Sequence, residues 1–456
     1  MASSSPADPV LSIERCRELF GMVLRAAKSH GVSDVEALFA AHRDALTRFA
    51  NNTIHQNVAE QAQWLSVRVV FDQKTARATT NRFDSDSIRS TVEQAIALTQ
   101  SVASDPDSLP LTEPAPAEEV RRFDASIAAA TPDYRAKAVT EAIRLVEGAH
   151  QTAAGIYSTG QTVEAILNSR GVEAFHPETL TQFSITAMAG DSSGWAKASA
   201  VHPNGFNPLA LAERAKEKAR LSHSPREIAP GRYAVVLEAA AVLDLVGQMF
   251  SDFSGTAMRD KRSFLTDRLG SKLFGANIHI SDDVRHPLQA GVPFDGEGVP
   301  RKKLTLVEAG VPRELTYSRS SARHANTAPT GHGFPLPNEI GEAPLNVVIA
   351  GGDTSIERMI ASTARGVLVS RFWYIREVDP YEKIMTGMTR DGTFLIEEGR
   401  VVCGLRNFRF NQGLIELLNN VDALSPSERA SGEEIFDMVV PAMKVNDFHF
   451  TEVTRF

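Results

Sequence analysis

The side chains best able to do chemistry in this sequence gather in one polar stretch, residues 318–333. It holds Arg319, Arg323, His324, Thr330, Gly331 and His332. Two imidazoles that converge can bind a metal ion or relay a proton. Two that stay apart are ordinary residues of a solvated loop, and spacing this loose fits that second description. Arg319 and Arg323 carry planar guanidinium forks that can grip a peptide carboxylate or a partner's acids; in a solvated loop they form local salt bridges instead. The 12 histidines are never closer than seven residues apart, so no H-E-x-x-H pair lies on one helical face.

Other motifs read as turns and caps. Gly190-Asp191-Ser192-Ser193-Gly194 fits G-x-S-x-G. Strands flank it on both sides, whereas a nucleophile needs a strand-to-helix elbow, so it reads as a hairpin turn. Cys403 lies in an apolar strand and reads as a small buried hydrophobe. Gly296-x-Gly298 lacks the third glycine and the following helix of a dinucleotide loop. Residues 351–355, Gly-Gly-Asp-Thr-Ser, lead into a helix. They can hold an anion there, but a cap by Asp353, Thr354 or Ser355 is the plainer role. Asp282 and Asp283 read as turn residues.

The elements that must position the polar stretch are legible on either side of it. Turn chemistry at Phe294-Asp295-Gly296-Glu297-Gly298 precedes a hairpin, with strands at 303–307 and 311–317 around Gly310. A strand at 345–350 follows. A polar loop without secondary structure of its own, tied to elements at both ends, is expected to lie over a site.

Taken in order, a helix is expected over 11–30, strands over 35–49, 64–71 and 74–80, and a helix after a cap at Asp84 or Ser85. Residues 104–119 carry Pro106, Pro110, Pro114 and Pro116 and read as a linker or surface arm. A helix over 132–153, a meander over 155–168, 172–188 and 195–201, and a helix over 208–221 follow. After a boundary near 223–231 come a strand at 233–237, a buried helix with Val242, Leu243, Leu245, Val246, Met249 and Phe250, then the polar stretch. Beyond it are a helix over 356–364, β segments at 367–375, 393–396 and 401–410, a helical turn at 414–418, and strands at 436–445 and 448–454. The fold class is α+β: an N-terminal domain of strands and helices over 1–224, and a C-terminal, largely antiparallel β domain with peripheral helices over 225–456.

Composition excludes some functions. The net charge of −8 argues against nucleic acid as the main partner. No apolar run approaches the length of a membrane span, and the N-terminal residues show no apolar core of a signal peptide. The two cysteines, Cys16 and Cys403, make neither a zinc knuckle nor a disulfide framework, so a reducing cytoplasm is the expected setting.

Several ordered stretches resemble the TldD/PmbA proteins, the "modulator of DNA gyrase" peptidase family. In the first half these are residues 65–80 and the helix after Asp84. In the second half they are Phe294-Asp295-Gly296-Glu297-Gly298-Val299-Pro300, Val307-Glu308-Ala309-Gly310, residues 317–323 with Thr330-Gly331, Gly352-Asp353-Thr354-Ser355-Ile356-Glu357, residues 365–369, and the turn 396–399. The resemblance implies two branches that pair. One carries an HExxxH helix and a late cysteine that bind zinc, and it cuts unfolded or extended peptides. The other, TldE or PmbA, lacks those ligands.

This chain departs from the catalytic pattern at each ligand. The corresponding helix reads Ala241-Val242-Leu243-Asp244-Leu245-Val246-Gly247-Gln248, and the late segment reads Ala430-Ser431-Gly432-Glu433. The resemblance therefore implies a non-metal, TldE-like subunit with no cofactor and no catalytic residue of its own. Zinc belongs to a TldD-like HExxxH partner, and an extended peptide is the shared substrate. The residues expected to touch substrate or partner are Arg319, Arg323, His324, Thr330, Gly331 and His332. Two rival expectations are a stand-alone hydrolase built on His324 and His332, and a regulatory binding protein without peptidase activity.

Overall fold

The computed structural model describes residues 5–454. The first half is built on one antiparallel sheet. Helix α1 (Ile13–Ser29) starts where the Ser12 hydroxyl accepts from the Arg15 amide, and it buries Cys16, Leu19, Phe20, Val23 and Ala27. Strands β1 (Asp34–Ala50), β2 (Thr53–Phe71) and β3 (Lys74–Thr80) form a meander, and α2 (Ser85–Ser101) follows with Asp84 as its cap. After the proline-rich arm come α3 (Ala125–Ala128), α4 (Pro132–Glu147), β4 (Thr152–Asn168), β5 (Glu173–Ala189), β6 (Ser192–Ala200) and α5 (Pro208–Leu221). The strand order is β3-β2-β1-β4-β5-β6, with β3 and β6 at the edges.

Several strands run longer than the sequence pattern indicates. β2 starts at Thr53, not near Trp64, because its first half is exposed on both faces and carries no apolar alternation. Helix α4 stops at Glu147, and β4 takes over at Thr152.

The second half holds two more sheets. In chain order its elements are β7 (Gly231–Leu237), α6 (Ala239–Val246), α7 (Gly255–Arg259), β8 (Ile280–Asp282), β9 (Leu304–Glu308), β10 (Val311–Pro312), α8 (Arg319–His324), β11 (Val347–Ile349) and α9 (Ile356–Ala361). Then come β12 (Arg365–Asp379), β13 (Ile384–Glu397), β14 (Arg400–Gly404), β15 (Phe408–Gly413), α10 (Leu414–Asn419), β16 (Val421–Leu424), β17 (Glu428–Ala430), β18 (Met438–Val440) and β19 (Met443–Val453). One sheet runs β10-β9-β8-β11-β18-β17. The other runs β12-β7-β19-β15-β13, and β13 pairs back onto β12, closing a barrel with no free edge among those five strands. Pairing is antiparallel except for β7 with β12 and β11 with β18. The last strands divide at Pro441, which cannot donate to a ladder, and not near residue 446. Asn446 and Asp447 form a bulge inside β19.

The barrel core is aromatic: Phe372 stacks on Phe448 at 5.7 Å, and Phe408 lies 4.7 Å from Phe450. Helix α6 is buried over nearly its whole surface, as its apolar composition requires. Among the described residues no helix is long and apolar enough to cross a membrane.

Inside the first sheet, Glu36 faces Arg68 across β1 and β2. Arg68 donates from Nε and Nη2 to both Glu36 oxygens at 3.1 and 3.0 Å, and Arg77 donates at 2.7 Å. Arg77 also donates to the Leu336 carbonyl at 2.8 Å, joining the sheet to the second half. Glu36→Gln leaves two guanidinium groups without a counter-charge. It should cost about 3 kcal/mol or more in chemical denaturation, and a loss under about 1 kcal/mol would show that the cluster is solvated rather than buried.

Candidate functional site

The polar stretch is not an unstructured loop. The Ser318 hydroxyl accepts from the Ser321 amide and starts α8. Its two histidines have separate surroundings. His332 is fully buried, with Nε2 3.0 Å from Asp282 Oδ1 and Nδ1 2.9 Å from Thr330 Oγ1. His324 is exposed, with Nε2 3.5 Å from Asp107. Arg323 is also exposed and donates to the Asp107 carbonyl at 3.4 Å. Arg319 points inward, 3.7 Å from Glu297. Thr330 exchanges hydrogen bonds with the Tyr317 backbone. Gly331 has φ +77°, and a Cβ there would lie 2.2 Å from the Pro300 carbonyl oxygen, so only glycine fits. Asp282 is not a turn residue: it ends β8 and is wholly buried, holding His332 and the Asn346 amide.

Four buried carboxylates hold this region. Glu342 accepts from Ser254 Oγ, the Thr256 amide and hydroxyl, the Ser318 amide and Ser321 Oγ. Asp295 accepts from the amides of Glu297, Val299 and Gly333. Burial and the neighbouring Asp295 charge push Glu297 up to about 7, against the pull of the Arg319 amide and charge. Burial likewise pushes Asp282 up, but the hydrogen bond and charge of His332 outweigh it and hold the group below its ordinary value.

The remaining motifs take the plainer roles. Gly190 and Asp191 turn the chain from β5 to β6, and Ser192, Ser193 and Gly194 already pair in that hairpin. Ser355 caps α9 through the Arg358 amide. Cys403 is half-buried and, unlike a purely apolar cysteine, accepts from Arg226 Nε at 2.8 Å.

A cleft of about 360 Å³ opens where the two halves meet. Its walls are β6 and α5 on one side, and β17 with the start of α6 on the other. Both β6 and β17 are the last strands of their sheets. Glu238 stands at the mouth of α6, buried, with Lys218 Nζ at 2.7 Å and Arg214 at 3.3 Å. Burial lowers the Lys218 ammonium from its usual value while Glu238 opposes that shift. Deeper in, Asp437 accepts from Ser199, Ser431 and Arg429. Sequence reasoning passed over these groups. One signal was available: Lys218 falls on the apolar face of α5 with Leu211, Ala215 and Ala219.

Helix α6 and residues 430–433 adjoin beside this cleft. Asp244 accepts from the Glu433 amide and the Phe372 amide, each at 3.3 Å. A Cβ on Gly432 would lie 2.2 Å from Asp244 Oδ1. Burial pushes Asp244 up to about 7.

Comparison with known proteins accounts for this architecture. Residues 35–99 match domain 1 of the PmbA/TldA metallopeptidases, residues 110–222 their central domain and residues 230–452 their C-terminal domain. The chain belongs to the PmbA/TldD family. It is 27% identical over 62% of its length to a metalloprotease of Methanothermobacter thermautotrophicus, covering 66% of that protein. It is 23% identical over 53% of its length to a metalloprotease PmbA homolog of Haemophilus influenzae, covering 51% of that one. The chain thus spans less than two thirds of each of these relatives. The crystal structure of TldE from Thermococcus kodakarensis superposes with a TM-score of 0.86 at 21% identity, over 95% of this chain and 99% of that one, and so shares the fold. The first two PmbA/TldD domains contribute their strands to a single sheet here.

Among the described residues, those of α6 and of the segment 430–433 do not fit a zinc ion. A catalytic zinc takes three protein ligands and keeps an open position. Among the described residues no three His, Cys, Asp or Glu side chains are grouped to hold a metal. At α6, Glu238 is committed to Lys218 and Asp244 to backbone amides.

Asp244 gives a pH test. Its folded pKa, about 7, lies above the ordinary 3.8, so the folded state binds the proton more tightly between those values. Its contribution to stability is full below about 3.8 and is lost as pH rises toward 7. The stability of the wild type minus that of Asp244→Asn should fall through this window, with a slope of at most about 1.4 kcal/mol per pH unit. A flat difference in urea titrations across the window would place the carboxylate in contact with water.

Proposed function

We propose that this chain is the non-metal, TldE-like subunit of a TldD/TldE-type metallopeptidase, and that it holds an extended peptide for a zinc-bearing HExxxH partner. One observation carries the reading. The two segments that would bear zinc ligands adjoin in space, but the Asp244 carboxylate fills their contact, accepting from the Glu433 and Phe372 amides, and Gly432 leaves no room for a side chain. A cysteine at this point would meet Asp244 before it met a metal.

The cleft beside those segments supplies the holding role. Two sheet edges, β6 and β17, border it, and strand edges bind extended chains through backbone hydrogen bonds with little demand on sequence. Lys197, Arg214 and Arg429 face Glu238 and Glu428 around the same opening, so side chains of either sign find a partner. No proton transfer or nucleophile is assigned to this chain: Ser199 and Ser431 are committed to Asp437. Bond cleavage falls to the partner's zinc.

The test is co-expression with an HExxxH-bearing member of the family. Zinc per chain and cleavage of an unstructured casein substrate are then measured for this chain alone, for the partner alone and for the pair. The expected outcome is a mixed complex that cleaves casein, with no stoichiometric zinc and no cleavage from this chain alone. One zinc per chain in this protein alone, or cleavage without the partner, would sink the reading.

A further inference from the structure

We infer a second binding site, for the carboxylate end of an extended peptide, beneath the proline-rich arm of the first half. Strand β5 pairs with β4 along its whole length but meets β6 only from Thr181 onward. Its first residues, through Pro177, therefore have a ladder on one side only, and proline is tolerated at such an edge. The arm crosses in front of this open edge without closing it. It is pinned at one end by buried Leu111 and Thr112, whose carbonyl accepts from Asn168 at 2.8 Å. At the other end Arg122 bridges to Glu178, and the Thr179 amide donates to the Arg122 carbonyl at 2.9 Å. Between the pins, residues 113–119 are exposed.

The space between arm and edge is a cavity of about 640 Å³, and it adjoins a second of about 560 Å³ that shares Pro293 and Pro300 with it. Its apolar wall includes Phe123, Phe175 and Phe294. This volume falls within the range of ligand pockets.

Three buried nitrogens around it lack a hydrogen-bond partner: Arg122 Nε, Arg301 Nη1 and His176 Nε2. Arg122 is 8% exposed and His176 2%. The hydrogen bonds of the Arg122 guanidinium end on backbone carbonyls, those of Arg121, Val284 and His286. Among the described residues the Arg301 guanidinium donates only to the Val292 carbonyl. Among the described residues neither guanidinium has an ion pair. The nearby Glu178 accepts from the Gly291 amide and lies 3.8 Å from His176. Buried cations are normally neutralised. Arg122 feels the charge of Glu178, and Arg301 those of Glu164, Asp282 and Asp295, yet no acceptor takes Arg122 Nε or Arg301 Nη1. Beside an open strand edge these two donors suit an anionic group on an extended chain, which is what a peptide C-terminus provides. This site lies apart from the cleft at β6 and β17 and does not depend on the metal-bearing partner.

The experiment uses the full chain alone. An N-terminally fluorescein-labelled hexapeptide of alanine, valine and threonine is titrated by anisotropy as the free acid and as the C-terminal amide, with sodium acetate as competitor. The acid should bind about 10-fold more tightly than the amide. Arg122→Gln and Arg301→Gln should each remove most of that preference while leaving thermal melts and circular dichroism near wild type. Hydrogen exchange with the acid peptide should show new protection at residues 173–177 and 113–122. Equal binding of acid and amide overturns the proposal. So does protection confined to residues 192–200, which would place the peptide in the cleft and leave the functional reading above standing. Full competition by acetate at the peptide's own concentration would reduce the site to a free-carboxylate pocket and overturn the peptide assignment. If either arginine variant fails to fold, the other variant and the acid-to-amide ratio of the wild type decide the matter.

Discussion

Backbone amides buried without a helix or sheet of their own are the constraint on which the second half of this molecule depends. Between α7 and β11 the chain has only short strands and one short helix, yet much of it is inside. Each buried amide left unpaired costs on the order of 1–3 kcal/mol. Carboxylates supply the missing acceptors, since one ionised group can take several donors at once. Glu342 alone ties the start of α7 to the start of α8, and Asp295 ties its own turn to Gly333. The price is desolvation, visible in the raised pKa of Asp295 and Glu297. Polar residues of this stretch are thus consumed in holding the fold, and His332 and Thr330 face inward for that reason.

The same economy explains why the neighbourhood of α6 has its present form. That helix is buried on nearly every face, so any polar group on it must find partners inside the protein. Asp244 finds them in the amides of Phe372 and Glu433, which belong to the barrel and to the segment after β17. A carboxylate used in this way fixes three pieces of chain against each other. The close approach of residue 432 is part of that packing, because glycine alone leaves the carboxylate its place.

Much of the fold was legible in the sequence, and the limits have physical causes. Helices with caps and an apolar face were readable to within a few residues: α5 has the same bounds in both, and α2 begins after its Asp84 cap. Strands were readable where one face is buried, as in the second half of β2, and unreadable where both faces meet water, as in its first half. The closure of β12 onto β13 could not be read, because a barrel is a matter of long-range register that no local pattern encodes. For the candidate site, the absence of histidine on α6 was legible. Within the polar stretch the burial of His332 and Thr330 was not legible, because polar composition signals solvent only when no buried carboxylate is waiting for it. Asp282 and Asp295 look like turn residues in one dimension and act as buried acceptors in three.

The long strands create a second problem, which the proline-rich arm resolves in part. Wherever one strand outruns its neighbour, an unpaired edge is left, and proteins cover such edges to prevent association. The last strand of the first sheet, β6, is met by α5 and β17. The first residues of β5 are met by the arm. An arm of ordinary residues would be free to settle onto that edge as a further strand. Pro114 and Pro116 forbid it, because neither has an amide to donate and each restricts the residue before it. The arm bridges to the strand at Arg122, and a cavity separates the residues before it from the edge. A composition that reads as a featureless linker thereby sets the height of a gap, and the unpaired nitrogens of Arg122, Arg301 and His176 set its chemistry.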